Sequence, residues 1–143
     1  MANQKYAQIP ALVEAGDLNW MSDHIQAHLT KGVAFVGSQQ RLSQATASPS
    51  AVRLQTIDVQ GRSVDTEGQA LGLPATFPKV DEATPYQVIL AKDDGSGDDI
   101  LIAYYDQDDG GGPLQILNGG TMIVRPFLLP DGDPPTVGVW LTF

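Results

Sequence analysis

Two runs in the second half of the chain, YQVILA at residues 86–91 and ILIAYY at residues 100–105, are apolar at nearly every position. A strand with one face in water alternates apolar and polar residues, so unbroken apolar runs of this length read as strands covered on both faces. Between them lies KDDGSGDD, rich in residues that make tight corners: glycine adopts positive φ without steric cost, and aspartate bonds its own backbone. The two runs therefore read as a hairpin that the rest of the chain must cover from both sides.

Short β-like runs punctuated by Gly, Asp and Pro surround this hairpin, the pattern of an all-β sandwich or jelly roll. VRLQTIDV alternates at Val52 and Leu54 and again at Ile57 and Val59, with one break of phase that a bulge would absorb. RSVDTEGQALG reads as a hairpin around Glu67 and Gly68, while Pro74 and Pro78 keep LGLPATFPKV out of a central strand. LQIL, TMIVRPFLLP and TVGVWLTF are further candidate strands, the last with Val137, Val139, Leu141 and Phe143 on one face. Upstream, two patterns compete. Leu18, Met21, Ile25 and Leu29 lie near helical spacing, whereas Ile25, Ala27 and Leu29 alternate with His24, Gln26 and His28 as in a strand. We assign a short helix over residues 11–15, a strand over residues 24–30 and a helical turn at RLSQA. The expectation is a mainly β chain: an extended N-terminal arm over residues 1–10, ordered on a partner, and one β-sandwich or jelly-roll-like domain with a short N-terminal helix over residues 11–143.

At 143 residues the chain has the length of one domain. It has no cysteine, which excludes disulfides, thiolate zinc sites and thiol nucleophiles. Its net charge of -9, with eight Lys and Arg scattered thinly, makes nucleic acid a poor partner, since phosphate neutralisation supplies most of that affinity. No run approaches the roughly 20 apolar residues a membrane helix needs, and MANQKYAQIP lacks the basic-then-apolar order of a secretory leader. A protein made in a cytoplasm, binding neither nucleic acid nor membrane, is expected.

The acidic loops fail the EF-hand template. From Asp94, Ser96 and Asp98 keep the alternation of oxygen ligands, but Asp99 stands where glycine belongs and Tyr105 where the bidentate Glu belongs. From Asp106, Asp108 fits and Gly110 brings no side-chain ligand. Both loops read as corners, with a weak incidental divalent site as the lesser alternative, and no metal or cofactor is assigned. His24 and His28 lie on one face of helix or strand alike, but HIQAH lacks the Glu of a zinc-protease helix, so an exposed polar strand face accounts for them. There is no G-x-S-x-G elbow, no Walker loop and no G-x-G-x-x-G; Gly95, Ser96 and Gly97 come closest to the elbow and lie in an acidic turn. No general base with an orienting partner stands out, so an enzyme is not expected. Trp20, Trp140, Tyr104 and Tyr105 could line a sugar site, giving a carbohydrate-binding β-sandwich as one alternative, although aromatics in β-runs more often serve cores.

GDLNWMSDHIQAHLT, the RLSQA turn, QVILAKDDGSGDDILIAYYDQ and LNGGTMIVRPF follow one another in an order that resembles a group of small structural proteins of tailed bacteriophages. Members share an I-x-W-L-S-D-x-I-K-V opening, an A-L-V-L-Y-K-D-x-G strand, an L-I-A-Y-I-D strand and an N-G-G-x-I-x-V turn. The matching pieces here are residues 18–25, 88–95, 101–106 and 118–124. Residues 43–56 match poorly, and DGDPPTVGVW replaces a shorter ending. The resemblance implies a virion structural protein without catalysis, a capsid cement or decoration protein that docks on the major capsid protein between capsomers, as a homotrimer. A tail, neck or fibre-associated component is the alternative within the same class. The expected contacts are Ala2, Asn3, Gln4, Lys5, Tyr6, Ile9 and Pro10 of the arm, with Met122, Val124, Phe127 and Leu129 of the apolar run at residues 122–129.

Overall fold

The computed structural model describes residues 4–64, 66, 68–73, 75–78, 80, 86–107, 114, 122–124 and 138–142. The expected hairpin is present as β7 (Tyr86–Asp93) and β8 (Ile100–Tyr105), paired antiparallel. It lies inside a five-stranded sheet with the order β1 (Gln4–Lys5), β8, β7, β2 (His24–Lys31) and β3 (Val52–Asp58). Both of its faces are covered, as the unbroken apolar runs demand. On one, Val88, Leu90, Ala103 and Tyr105 join Ile25, Ala27 and Leu29 of β2 beneath Trp20, Phe77, Met122, Val124 and Trp140. On the other, Ile89, Leu101 and Tyr104 lie beneath Tyr6, Val33, Leu42 and Ala45, with half-buried Phe35 against them.

The layer over the first face comes from two smaller antiparallel sheets. One has the order β10 (Gly138–Thr142), β5 (Gln69–Gly72), β4 (Ser63–Val64), and the other pairs β6 (Ala75–Phe77) with β9 (Met122–Val124). The second face is covered by residues 33–51, which carry α2 (Leu42–Ala45), and by Tyr6 just before α1 (Ile9–Glu14). The class is mainly β, with the expected helix, helical turn and β2 strand in place. β4 and β5 form the hairpin anticipated around Glu67 and Gly68, of which Glu67 lies outside the described residues. Pro74, Val137, Phe143, all of LQIL except buried Leu114, and the second acidic loop from Asp108 also lie outside them.

Bulges set the side-chain directions. Leu29 pairs with Gln55 and Thr30 with Arg53, so Leu54 is the extra residue that absorbs the break of phase in VRLQTIDV. In β8, Leu90 pairs with Ala103 and Ala91 with Leu101, leaving Ile102 extra. In β10, Val139 pairs with Leu71 and Leu141 with Ala70, so Trp140 is extra and uniform alternation does not run through the strand. Trp140 is 1% exposed and stands edge-on to Tyr105, with ring centroids 5.4 Å apart. Its indole N–H donates to the Leu73 carbonyl at 3.3 Å, and its own carbonyl accepts from the Tyr105 hydroxyl.

Candidate functional site

Strand alternation sends Ile25, Ala27 and Leu29 into the main core and turns His24, Gln26, His28 and Thr30 to the opposite face. The neighbouring strands add Asp93 beside His24 and Thr56 beside His28, and the β7–β8 tip folds Asp99 back over the same face. This row of polar side chains is the chemically richest place among the described residues.

The two histidines differ sharply. His24 is half exposed and ties three strands together, Nε2 lying 2.7 Å from Asp58 Oδ1 on β3 and Nδ1 3.1 Å from Asp93 Oδ2 on β7. Its hydrogen bond to Asp58 raises its pKa above the ordinary histidine value, and the same bond lowers that of Asp58. His28 is 1% exposed, which corrects the expectation of an exposed polar face for both: the segment over residues 33–51 and the β7–β8 tip cover one and stop short of the other. His28 Nδ1 lies 2.8 Å from the Thr56 hydroxyl and Nε2 2.7 Å from Asp99 Oδ2. Burial lowers its pKa, outweighing the pull of Asp99 in the other direction, and Arg53 adds a further push down.

The β7–β8 tip is a corner, as expected. Gly95 and Gly97 take φ of 84° and 83°, where a side chain would be strained. Its carboxylates are held by protein donors: Asp94 accepts from Ser96 and from Arg41 Nη1 at 2.8 Å, while Asp98 accepts from Ser43 N at 2.9 Å and Ser43 Oγ at 2.6 Å. The Ser96 and Arg41 bonds push the Asp94 pKa far below the ordinary carboxylate range. Among the described residues no three of His, Asp and Glu gather as a metal site. Beside the tip lies an open basin of about 340 Å³, lined by Leu42, Ser43, Thr46, Ala51, Arg53, Gly97 and Asp98.

The residues expected to contact a partner are scattered. Gln4 and Lys5 are exposed on edge strand β1, opposite Tyr104 and Ala103 of β8, and Pro10 is exposed in α1. Tyr6 and Ile9 are each 1% exposed, and Met122 and Val124 0%, all inside this chain's own core. The expectation of an extended arm ordered on a partner is met differently from Gln4 onward: pairing with β8 and burial of Tyr6 and Ile9 order the segment on this chain itself. Ala2, Asn3, Phe127 and Leu129 lie outside the described residues. Trp20, Tyr104, Tyr105 and Trp140 are all buried, so none offers a sugar a ring face. Among described residues the Tyr6 hydroxyl has no hydrogen-bond partner, and its ring lies 5.0 Å from that of Phe35.

The sequence-level account of the histidines missed the His28–Asp99 pair. Seventy-one positions separate the two, and only the alternation placing His28 between Ala27 and Leu29 hinted at a covered strand. No helix among the described residues is long and apolar enough to cross a membrane. Compared with known proteins, the chain matches no family model, no curated sequence and no solved structure.

Proposed function

We propose that this chain is a structural protein of a tailed-phage particle, a cement or decoration protein that binds the assembled head between capsomers. The observation that carries the reading is where the phage-like pieces fall in space. Residues 18–25 lead into β2, 88–95 cover most of β7 and 101–106 most of β8, and these three strands are adjacent at the centre of the five-stranded sheet. Three of the four pieces, dispersed in sequence, thus build one contiguous framework, and the fourth, 118–124, ends in β9 of the layer that covers it.

The edges of the sheet support a role in assembly. β3 is an edge strand with Val52 40% and Leu54 39% exposed, and no further strand pairs with it among the described residues. Apolar side chains beside unpaired backbone groups suit lateral contacts with a neighbour. A protein that binds only the assembled lattice stabilises it by its binding free energy at every site, and threefold symmetry would repeat each small interface. Its partners would be the major capsid protein and two further copies of itself.

Immunogold electron microscopy of phage particles, with an antibody raised against the recombinant protein, tests this. Gold over every head is expected. Gold confined to the tail or one vertex would replace the cement role with a tail or neck role, and unlabelled particles would end the virion reading.

A further inference from the structure

We propose that Thr56, His28 and Asp99 form a nucleophilic centre that hydrolyses small carboxylic esters through the Thr56 hydroxyl. The row of groups is complete in its distances, 2.8 Å from Thr56 Oγ1 to His28 Nδ1 and 2.7 Å from His28 Nε2 to Asp99 Oδ2. A carboxylate only accepts, so Asp99 keeps the imidazole proton on Nε2 and leaves the Nδ1 lone pair facing Thr56. The hydroxyl must then donate to Nδ1. Hydroxyl nucleophiles are activated by this relation: a base within hydrogen-bond reach, oriented in turn by a third group.

The exposure of the three residues is graded in the useful direction. Asp99 and His28 are 8% and 1% exposed, whereas Thr56 is exposed on edge strand β3, where a substrate can reach it. A purely structural histidine would be served equally well by a buried hydroxyl. Burial also keeps the base in its neutral, proton-accepting form. The charged groups acting on it are Asp99 and Asp93, which favour protonation, and Arg53, which opposes it. Arg53 lies on the same face of β3 as Thr56, and its positive charge would stabilise the oxyanion that forms when Thr56 attacks. Arg53 also lines the 340 Å³ basin with Leu42, Thr46 and Ala51, which gives a short acyl chain a place to lie.

The step balances without a co-reactant. Thr56 Oγ1 bonds to the ester carbonyl carbon as its proton passes to His28 Nδ1; the bond from that carbon to the alkoxy oxygen breaks, and the alcohol leaves with that proton. Water then gives its proton to Nδ1, bonds to the acyl carbon and breaks the link to Thr56, which recovers the proton. The products are one carboxylic acid and one alcohol.

The test uses the full chain with p-nitrophenyl acetate and p-nitrophenyl butyrate. An acid quench followed by peptide mass spectrometry should find the acyl group on Thr56. Nitrophenolate release should fall by roughly a hundredfold or more in Thr56→Val, persist in Thr56→Ser, and drop about tenfold in Arg53→Gln. The rate should rise with pH through a group titrating below the ordinary histidine range and then level off. Thr56→Val takes the hydroxyl partner from buried His28 Nδ1, so it and His28→Gln are each read alongside a circular dichroism spectrum, while Thr56→Ser keeps the bond and the acyl adduct on Thr56 is read in the unsubstituted chain. Acylation only at other side chains, release unchanged in Thr56→Val, or release no faster than in buffer would each overturn the proposal. The centre stands or falls on the isolated protein, whatever the particles show.

Discussion

Replacing Gly72 by alanine tests the wedge that closes the main core. An ideal Cβ at this position would lie 2.9 Å from both Cδ1 and Nε1 of Trp140 and 3.1 Å from Cγ1 of Val59. Ordinary carbon contacts begin about half an ångström further out, so something must move. The indole has little room to retreat, being 1% exposed, edge-on to Tyr105 and bonded through Nε1 to Leu73. Overpacking of this kind costs roughly 1–3 kcal/mol. The φ of Gly72 is not in the left-handed region, so alanine also recovers about 0.5–1 kcal/mol by restricting the unfolded chain. The difference is a net loss of up to about 2.5 kcal/mol and about 1 kcal/mol at mid-range, which for a domain of this size lowers Tm by roughly 3–5 °C. Thermal unfolding followed by circular dichroism, with the near-ultraviolet tryptophan band as a second probe, measures both the loss and the displaced ring. A Trp140→Leu background should abolish the penalty of the added methyl. A Gly72→Ala protein as stable as the parent, with an unchanged tryptophan band, would refute the wedge.

Three further outcomes are expected. Tyr105→Phe leaves the buried Trp140 carbonyl without its donor and should cost about 1–3 kcal/mol in denaturant unfolding. The two histidines should give stability opposite pH dependences. The folded state lowers the pKa of His28, so its contribution is present above the unfolded value near 6.5 and is lost as pH falls through that value toward the folded one; His28→Gln should lose most at pH 8 and least at pH 5. The folded state raises the pKa of His24, so its contribution is present below the unfolded value and is lost as pH rises through the folded one. His24→Ala should therefore lose more at pH 5 than at pH 8, by a small amount given its exposure. Millimolar calcium against chelator should move Tm by less than about 1 °C, since protein donors already occupy the oxygens of Asp94 and Asp98; clear calcium stabilisation would contradict the assignment of that loop as a corner.

What was legible in the sequence was whatever local pattern determines. Burial on both faces wrote the β7–β8 hairpin into two apolar runs, and the slipped phase between Leu54 and Ile57 announced the bulge in β3 before any partner strand was known. Glycine and aspartate marked the corner between the runs for the same local reason. The rest depends on contacts between segments far apart in the chain. Gln4 and Lys5 have no strand character of their own and become β1 only because β8 presents a free edge. His24 and His28 share a strand face and a residue type, yet one is half exposed and the other buried, because the covering segment belongs to a different part of the chain. Trp140 looked like one more residue of an alternating strand, and its role as a bulge follows from the register with β5.

The position of β1 has a consequence for how the molecule is made. Gln4 lies opposite Tyr104, so this segment finds its place only after a hundred further residues have left the ribosome. β2 likewise waits for β7, since Lys31 pairs with Tyr86 and His24 with Asp93. β1 therefore emerges with no partner, and β2 has only β3 to pair with until β7 appears. Folding should then be late and slow, with β7 and β8 closing first as the local hairpin and the earlier strands adding afterwards on either side. A chain stalled before residue 86 would have β2 and β3 but neither β7 nor β8, and such a nascent chain should remain open to protease until the hairpin emerges.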